Sequence, residues 1–404
     1  MLFLLYEEFP YGQGEPFVEY EMPPLENDYK EKFTILTLRR GNTAVKRTVP
    51  QNAEEVFIKN PGIAENLIAV LKLFSKSSVK EIIHLLKKRP NEGILRCLNR
   101  IFRYQRVAVC FKKQYKALKS VSEQDTFVSY WLNECAFALV ELKKKYPNIK
   151  IASRGHGYDV FEERCYLPFR REILSGLDKI YLINKASKEY FKDRYGAWLD
   201  ISKIEISHLG VNISKSLTQN SDETFRIVTC ARVIPLKRLD LMVDALAGLK
   251  DKKIEWVHFG DGVLFEEIKK RAEEKLSGGV LRYDFKGQVP LEKVHEFYRE
   301  NSVNLFVNSS DTEGTPVSVM EAMSYGIPAV ARNVGGMAEV LDETCGTLLP
   351  AEENVELLKK AIEDFYSLDC DEYKKLSQNA RRKIEDEFDA EKVFKDYIKA
   401  VCSL

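Results

Sequence analysis

The sequence predicts an α/β fold of two domains, each built on a parallel β-sheet. Short apolar strands alternate along the chain with helical patterns of about a dozen residues, which is typical of parallel sheets. The alternation is interrupted by the polar stretch NISKSLTQNSDET (212–224), and a new apolar strand follows it. We therefore predict a first domain over residues 1–215, a second over 216–385 and a final helical segment over 386–404.

Length and composition are those of an ordinary globular protein with a net charge of +1 over 404 residues. No stretch approaches the ~18 uninterrupted apolar residues that a membrane-spanning helix needs. The opening MLFLLYEEFP lacks a basic segment and a cleavage site, so we expect a buried strand there and no signal peptide. The eight cysteines never stand at C-x-x-C spacing, which predicts neither a zinc site nor a redox pair and fits a reducing cytoplasm.

In the first domain, apolar runs predict strands and a long helical stretch. The predicted strands are 2–6, 33–40, 125–132, 149–153, the first half of LDKIYLINKASKEYFKDRYG (177–196), whose second half is predicted to be a helix, and 203–212. Residues 41–120 are expected to be largely helical. Gly12 and Gly14 follow the first strand, where the backbone of an open α/β sheet can approach a ligand, although a plain tight turn is the simpler explanation of G-x-G alone.

The helical stretch concentrates positive charge. Residues 70–120 contain fourteen lysines and arginines against two acids, Glu81 and Glu92. Apolar residues at helical spacing in VKEIIHLLKK and EGILRCLNRIFRYQRV predict amphipathic helices. Two interpretations stay open, namely solvated helix faces or a surface for anionic lipid or a lipid-phosphate acceptor. Nucleic acid is disfavoured because no recognition motif accompanies the charge.

The second domain repeats the strand–helix pattern and adds a turn with two acids. The predicted strands are 225–233, 254–262, 283–289, 303–307 and 328–331. A short helix lies before the last of them, with Thr315 as predicted N-cap and Pro316 at the first helical position. Glu313 precedes it and Glu321 lies in its second turn. N–H groups at a helix start attract anions, and carboxylates accept hydroxyl groups, so the pair suits a phosphorylated sugar unless both are ordinary surface acids.

Other candidates lie at strand ends. Arg232 ends strand 225–233 and Lys237 begins the next helix, and two cations in that position suit a diphosphate, although surface cations are common in turns. His156 stands between two glycines at the carboxyl end of a strand, where open α/β sheets bind ligands. A histidine held in a polar turn is the alternative. Arg154 and Asp159 would flank it.

Four segments together resemble retaining glycosyltransferases of family 4. EGTPVSVMEAMSYGIPAVARNVGG (313–336) resembles the family's acid–seven–acid signature, and RVIPLKRLD (232–240) is similar to its diphosphate-binding segment. RGHGYD (154–159) and FPYGQGE (9–15) resemble its histidine segment and its glycine loop. The resemblance covers nearly all of the second domain and patches of the first. It implies the GT-B fold, with two Rossmann-like domains facing each other across a cleft and the final helix crossing back to the first domain.

The resemblance implies roles for the matching residues. Glu313 would contact the donor sugar, Glu321 the ribose hydroxyls, and the two cations the diphosphate. The implied catalytic residues are His156, Arg232, Lys237 and Glu313. The implied donor-binding residues are Gly12, Gly14, Arg232, Lys237, Gln288, Val289, Glu313, Gly314, Thr315, Pro316, Val317 and Glu321, with Gln288 and Val289 beside the nucleotide base.

The implied activity is retaining, hexosyltransferase-type transfer from a nucleoside-diphosphate sugar to a glycan or lipid-linked acceptor, in bacterial polysaccharide biosynthesis. A UDP-sugar is the expected donor; no cofactor, no metal and no nucleic acid is expected, because the cations and helix N–H groups would stabilise the leaving diphosphate. The first domain would hold the acceptor and the second the donor. We expect a cytoplasmic protein, with peripheral binding to the inner membrane face through residues 70–120 left open.

Three other functions also stay open. The first is another enzyme of the same fold, such as a nucleotide-sugar epimerase, a glycogen synthase or a phosphorylase, although no pyridoxal phosphate lysine segment is found. The second is a catalytically silent GT-B partner subunit, which would bind donor without turnover. The third is a basic lipid- or nucleic-acid-binding module, which leaves the motifs of the second domain unexplained.

Overall fold

The chain forms two compact units in the computed structural model, which describes residues 1–12, 15–38, 46–117, 124–218 and 224–404. Unit 1 comprises Met1–His208 and Glu391–Leu404, and unit 2 comprises Leu209–Ala390. Each unit has its own parallel sheet and its own hydrophobic core. The division of labour between an acceptor domain and a donor domain stays a prediction.

Unit 1 is built on a seven-stranded parallel sheet. Its strands are β1 (Leu2–Tyr6), β2 (Phe33–Thr37), β3 (Ala53–Phe57), β4 (Thr126–Ser129), β5 (Lys150–Gly155), β6 (Lys179–Leu182) and β7 (Ile204–Ile206). They lie in the order β3-β2-β1-β4-β5-β6-β7. The order reverses between β1 and β4, and ligands of open sheets bind at the carboxyl ends of the strands beside such a reversal.

The described part of unit 1 has seven α-helices before its last strand. They are α1 (Met22–Asp28), α2 (Ile63–Lys72), α3 (Lys76–Lys88), α4 (Ile94–Ala117), α5 (Glu134–Lys143), α6 (Arg170–Gly176) and α7 (Lys185–Tyr195). Helix α5 is buried along most of its length and packs with α4 against one face of the sheet, where Phe127, Phe137 and Ile101 are fully buried. This burial of apolar surface supplies the main stabilisation of the unit.

Unit 2 is built on a six-stranded parallel sheet. Its strands are β8 (Phe225–Cys230), β9 (Ile254–Phe259), β10 (Arg282–Phe285), β11 (Leu305–Asn308), β12 (Ala329–Arg332) and β13 (Gly346–Leu349). Its helices are α8 (Leu239–Ala247), α9 (Phe265–Leu276), α10 (Leu291–Glu300), α11 (Val317–Met323), α12 (Met337–Val340), α13 (Val355–Tyr366) and α14 (Cys370–Glu387). The order β10-β9-β8-β11-β12-β13 places the reversal between β8 and β11.

The last helix, α15 (Ala390–Cys402), packs on the sheet of unit 1. Its buried side chains Tyr397, Ile398 and Val401 join Leu2 and Leu4 of β1 in one apolar cluster. The predicted return of the final helix to the first domain is therefore confirmed, as are the two Rossmann-like sheets. Within the described ranges, no helix is both long enough and apolar enough to cross a bilayer.

Several element predictions were wrong in detail. Residues 41–120 were expected to be largely helical, and α2, α3 and α4 confirm this for 46–117, the described part of the stretch. The strand β3 within it and the strand β13 were not predicted. Thr315 is not an N-cap, because α11 begins at Val317 with Pro316 in the N-cap position and no capping side chain. Strand β3 is short, lies at the sheet edge and mixes two glutamates with apolar residues, so its burial pattern gives little strand signal.

Candidate active site

The loops that follow β8 and β11 carry most of the predicted donor-binding residues of unit 2. Arg232 lies two residues beyond β8, and Lys237 ends the short 3-10 turn Pro235–Lys237. Glu313 lies in the loop between β11 and α11. Because β8 and β11 are neighbours at the reversal of strand order, the sheet brings these three residues to one edge.

Lys237 and Glu313 form an ion pair at this edge. The Nζ atom of Lys237 lies 2.6 Å from Oε1 of Glu313, and Nδ2 of Asn308 donates to the same oxygen at 3.0 Å. Burial raises the pKa of the Glu313 carboxyl, but the charge of Lys237 and the hydrogen bonds to Lys237, Ser310 and Asn308 outweigh burial and lower the pKa below its ordinary value. Glu313 is therefore an ionised carboxylate at neutral pH.

Arg232 differs from Lys237 in the contacts of its side chain. It is exposed, and among the residues that the structure describes its side chain makes no hydrogen bond or ion pair. The neighbouring Arg238 is held away by Asp240 and by Glu353, which lie 2.9 and 2.7 Å from its guanidinium. One cation of the loop is thus available for an anionic ligand, one is shared with a carboxylate, and one is structural.

Glycines let the loops of unit 2 interlock through their backbones. The N–H of Val233 donates to Asp261 O at 3.0 Å, and a Cβ at Gly260 would lie 1.9 Å from Ala231 O. Gly335 adopts φ 58°, and a Cβ there would lie 2.0 Å from the carbonyl oxygen of Glu313. The sequence shows a pair of glycines after β12 but does not reveal their role. Gly335 allows the close approach of the turn that carries Glu313.

Helix α11 places Glu321 beneath the same edge. Glu321 is 5% exposed, although charged side chains are mostly exposed in proteins. The pKa of the Cys230 thiol, at the end of β8, is affected by the charges of Glu321 and Lys237. Burial and, second, the charge of Glu321 raise this pKa to about 12, whereas the charge of Lys237 lowers it. Glu321 and Lys237 therefore lie within electrostatic range of the same atom. Gly314, Thr315 and Pro316 form the connection between Glu313 and α11.

Gln288 and Val289 lie farther along the sheet. They follow β10, whose position beyond β9 puts two strands between this loop and β11. Gln288 is exposed, and the preceding Gly287 accepts a backbone hydrogen bond from Gly260 N at 2.9 Å. The loop after β10 is thereby tied to the loop after β9, at the carboxyl edge that also carries Arg232.

In unit 1, the loop after β1 is closed by a carboxylate that sequence reasoning missed. The side chain of Glu15 accepts hydrogen bonds from three consecutive backbone N–H groups, those of Glu7, Glu8 and Phe9, at 3.2, 2.9 and 2.7 Å, and from the indole N–H of Trp131. Gly12 adopts φ 76° in this loop, and the predicted Gly14 lies outside the described residues. Consecutive N–H groups form an anion-binding concavity, which here holds the protein's own acid.

His156 follows β5 and is surrounded by aromatic rings. Its ring centroid lies 4.5 Å from that of Trp131 and 4.7 Å from that of Tyr130. Both ring nitrogens are buried without a hydrogen-bond partner among the described residues. Burial, and to a lesser degree the charge of Arg154, lowers the pKa of His156 well below its ordinary value, so the ring is neutral.

The residues that flank His156 fix its position. Asp159 accepts the backbone N–H groups of His156 and Leu132 at 2.6 and 2.7 Å, and burial raises its pKa to about 6. Arg154 is fully buried, pairs with Glu21 at 2.6 Å and lies over the ring of Tyr397, 4.5 Å from its centroid. These two charges shape the surroundings of the histidine.

The triplet Asp369-Cys370-Asp371 has the D-x-D pattern of metal-binding aspartates but a structural role in the fold. The Asp369 carboxylate accepts the N–H groups of Asp371 and Glu372, both at 2.9 Å, and so caps α14. Among the described residues, no group of three or more His, Cys, Asp or Glu side chains is placed to hold a metal ion.

The two Rossmann-like sheets, with the last helix packed on the sheet of unit 1, have the architecture of the GT-B fold. Residues 212–383, most of unit 2, match the family described as glycosyl transferases group 1. The chain is 26% identical over 196 residues to a putative colanic acid biosynthesis glycosyltransferase, WcaL, of Escherichia coli, covering 46% of this chain and 48% of that protein. It is 26% identical over 231 residues to an uncharacterized glycosyltransferase of Methanocaldococcus jannaschii, covering 56% of this chain and 61% of that protein.

Solved structures share the whole fold. The lipopolysaccharide outer core galactosyltransferase WaaB superposes with a TM-score of 0.69 at 15% identity, over 100% of this chain and 99% of that one. HepE of Anabaena, in complex with UDP and glucose, gives 0.68 at 14% identity over the same shares. Sucrose-phosphate synthase of Thermosynechococcus elongatus gives 0.72 at 16% identity, over 100% and 98%. The sequence matches span about half the length of the curated relatives.

Proposed function

We propose that the protein is a retaining, hexosyltransferase-type glycosyltransferase that transfers a sugar from a UDP-sugar to a glycan or lipid-linked acceptor in bacterial polysaccharide biosynthesis. The observation that carries the proposal lies at the carboxyl ends of β8 and β11. There the side chain of Arg232, which has no partner among the described residues, is on the same loop as Lys237 of the Lys237–Glu313 pair. The similarity to WcaL and to other polysaccharide glycosyltransferases supports this function, and HepE, which shares the fold, binds UDP and glucose.

The arrangement suits a donor with a charged end and a hydroxylated end. Arg232 offers a free guanidinium to the diphosphate, and Lys237 can contact phosphate while it remains paired with Glu313. The ionised Glu313 accepts hydrogen bonds from the hydroxyls of the donor sugar. Glu321 accepts hydrogen bonds from the hydroxyls of the ribose. The negative charge that develops on the leaving diphosphate is stabilised by the two cations, so the proposed reaction proceeds without a metal ion.

His156 is proposed to contact the donor sugar. A neutral imidazole has one donor and one acceptor nitrogen, and both nitrogens of His156 lack a protein partner within the described part of the chain. We assign no covalent nucleophile. The backbone near Gln288 and Val289 is proposed to contact the base.

The first test is a thermal-shift screen of nucleotides and nucleotide sugars, because a ligand that binds only the folded protein raises the unfolding temperature. UDP and a UDP-sugar are expected to raise it, and Arg232→Ala should remove the shift. Lys269→Ala, which removes an exposed cation elsewhere in unit 2, is the matched control. No shift with any nucleoside diphosphate would contradict the proposal.

The second test is product analysis with the donor that binds. Transfer with retained anomeric configuration, measured by NMR, and an unchanged rate in EDTA are expected. Conversion of the donor to an epimer without acceptor would indicate an epimerase. Tight donor binding without turnover on any glycan or lipid-linked acceptor would indicate a silent partner subunit.

A further inference from the structure

Helix α2 of unit 1 has its apolar side facing outward. Ile63, Leu67, Leu71 and, in the turn after the helix, Phe74 follow one another at intervals of three or four residues, so they form one stripe. Their exposed fractions lie between 60 and 83%. A soluble helix normally buries such a stripe, and contiguous exposed apolar surface marks a site of interaction.

The inward side of α2 is held by an ion pair. Ala69 and Glu65 are buried on the side opposite the stripe, and Glu65 pairs with Lys113 of α4. Glu65 also accepts the N–H of Gly62 at 2.8 Å, which fixes the helix start. The helix therefore contacts the unit through the buried Ala69 and through this polar contact, and its leucines lie on the opposite side.

Helix α3 continues the exposed surface with alternating apolar and basic residues. Val79, Ile83 and Leu86 are exposed on one side of the helix. Lys76, Lys80 and Lys87 are exposed beside them, since positions 76, 80, 83 and 87 fall on one helical stripe. Leu86 and the exposed Leu95 at the start of α4 line one groove together with Arg89 and Arg96.

Lys88 pairs with Glu162 at 2.6 Å, but other cations of this surface take no part in the ion pairs of the described residues. Lys76, Lys80, Lys87, Arg89 and Arg96 make no salt bridge with any residue that the structure describes.

The acids of the region are all occupied inside the fold. Glu65 pairs with Lys113, Glu92 binds Arg100 at 2.9 Å, and Glu81 accepts the hydroxyl of Tyr166. A surface that exposes leucines and a phenylalanine beside lysines is complementary to a lipid bilayer, which has an apolar interior and, with anionic lipids, a negatively charged surface.

We propose that α2 and α3 form a membrane-binding surface that inserts Ile63, Leu67, Leu71 and Phe74 among the acyl chains of an anionic phospholipid bilayer, with the lysines and arginines of α3 and the start of α4 at the phosphate headgroups. This surface, named here the α2–α3 face, comprises residues 63–96. Its binding to lipid is independent of the donor site of unit 2, so the two proposals fail separately.

The α2–α3 face can be tested by co-sedimentation of the full chain with vesicles of phosphatidylcholine alone or mixed with phosphatidylglycerol. Binding is expected only to the mixed vesicles and should weaken as salt rises. The triple variant Lys76→Gln, Lys80→Gln, Lys87→Gln should bind about a hundredfold more weakly, since each cation near an anionic surface contributes roughly fivefold. The control is Lys269→Gln, Lys374→Gln, Lys375→Gln, which removes the same charge from exposed sites of unit 2.

A second pair of variants tests insertion. Leu71→Ser with Phe74→Ser should weaken binding about tenfold or more, whereas Val263→Ser with Val280→Ser, at exposed positions of unit 2, should not. In Phe74→Trp, the added tryptophan emission should shift to shorter wavelength on mixed vesicles and be quenched by brominated lipid. Circular dichroism melting curves establish that each variant is folded.

Three results would overturn the proposal. They are absence of wild-type binding to mixed vesicles, equal binding by the α2–α3 variants and their controls, and no blue shift of Trp at position 74. If the wild type instead doubles its molar mass in light scattering and the Leu71→Ser, Phe74→Ser variant does not, the face joins two copies of the chain and the membrane proposal is wrong.

Discussion

Glu313 is kept ionised by its contacts with Lys237 and Asn308, and a bound donor would contact the same carboxylate. Its Oε1 atom receives both Lys237 and Asn308, at 2.6 and 3.0 Å. Two residues that lie 76 positions apart in the sequence thus meet because β8 and β11 are adjacent in the sheet. The sequence predicted that both bind the donor, but it could not show that they bind each other, since a contact of this range depends on strand order.

Glu313→Gln should lower the transfer rate about 10²- to 10³-fold while leaving the protein folded, because an amide attracts neither Lys237 nor the hydroxyls of a sugar as a carboxylate does. Lys237→Ala should act similarly and should raise the pKa of the buried Glu313 carboxyl, which loses its nearest cation. Rates with the preferred donor give the measurement. Glu267→Gln, at an exposed position on α9, is the control, and near-normal rates in both site variants would refute the assignment.

His156 should make stability depend on pH. Its pKa is lower in the folded state than the ordinary value near 6.5, so the unfolded chain binds the proton more readily. The folding free energy attributable to this ring is therefore present above about pH 6.5 and falls by about 1.4 kcal/mol per pH unit below it. The pKa of Asp159 is raised to about 6, so the folded protein binds this proton more readily than the unfolded chain. The contribution of Asp159 to stability therefore increases as the pH falls from about 6 to about 4.

His156→Phe keeps an aromatic ring between Trp131 and Tyr130 and removes the titration. Urea unfolding between pH 7.5 and about 5 should show that the wild type loses more stability than the variant. Parallel curves would mean that His156 is protonated as easily in the folded protein as in the unfolded chain.

At the scale of elements, strand predictions succeeded where apolar runs were long and buried, as in β1 and β8. The prediction 283–289 extended beyond β10, which ends at Phe285, and residues 39–40 of the predicted strand 33–40 lie outside the described residues. The motif at 313–336 located a turn and a helix, yet α11 begins two residues later than its predicted cap. Amphipathic helices were expected in the basic region, but hydrophobic spacing alone does not tell which side faces the core. In α2, the buried residues Glu65 and Ala69 mark the side that faces the core.

The turn after β12 gives a prediction with a close control. Gly335→Ala should destabilise the protein and weaken UDP binding, because the new Cβ would lie 2.0 Å from Glu313 O and force the turn to move. Gly278→Ala has a similar positive φ but open space around the new methyl, so it carries only the backbone strain of about 1 kcal/mol. Denaturant unfolding and UDP titration of both variants separate strain from displacement. Equal effects of the two substitutions would show that the turn adjusts freely.

At the scale of the whole molecule, the same strand order occurs twice, and each sheet places its chemically distinctive loops beside its own reversal. The repeated strand–helix pattern predicted two such sheets, and the resemblance to family 4 glycosyltransferases implied the return of the last helix. The carboxylate of Glu15 in the loop after β1 was beyond prediction, because three backbone N–H groups converge on it only when the loop has folded.

Helix α15 should be essential to unit 1 although it is last in the chain. Val401→Asp would bury an unpaired charge against Leu2 and Leu4 and is expected to lower stability by at least about 3 kcal/mol. Val263→Asp, at a position that is 83% exposed, should change it by no more than about 0.5 kcal/mol. The measurement is urea unfolding followed by circular dichroism, and comparable midpoints for the two variants would contradict the packing of α15.

The two unsatisfied nitrogens of His156 have a consequence for protein engineering. A buried polar atom without a partner costs about 1–3 kcal/mol, so an apolar ring at position 156 should raise the melting temperature at neutral pH. A selection for heat resistance alone would then favour the loss of this histidine and, under the proposed function, the loss of a donor contact with it. Stabilised versions of the chain should therefore be screened for turnover as well as for melting temperature.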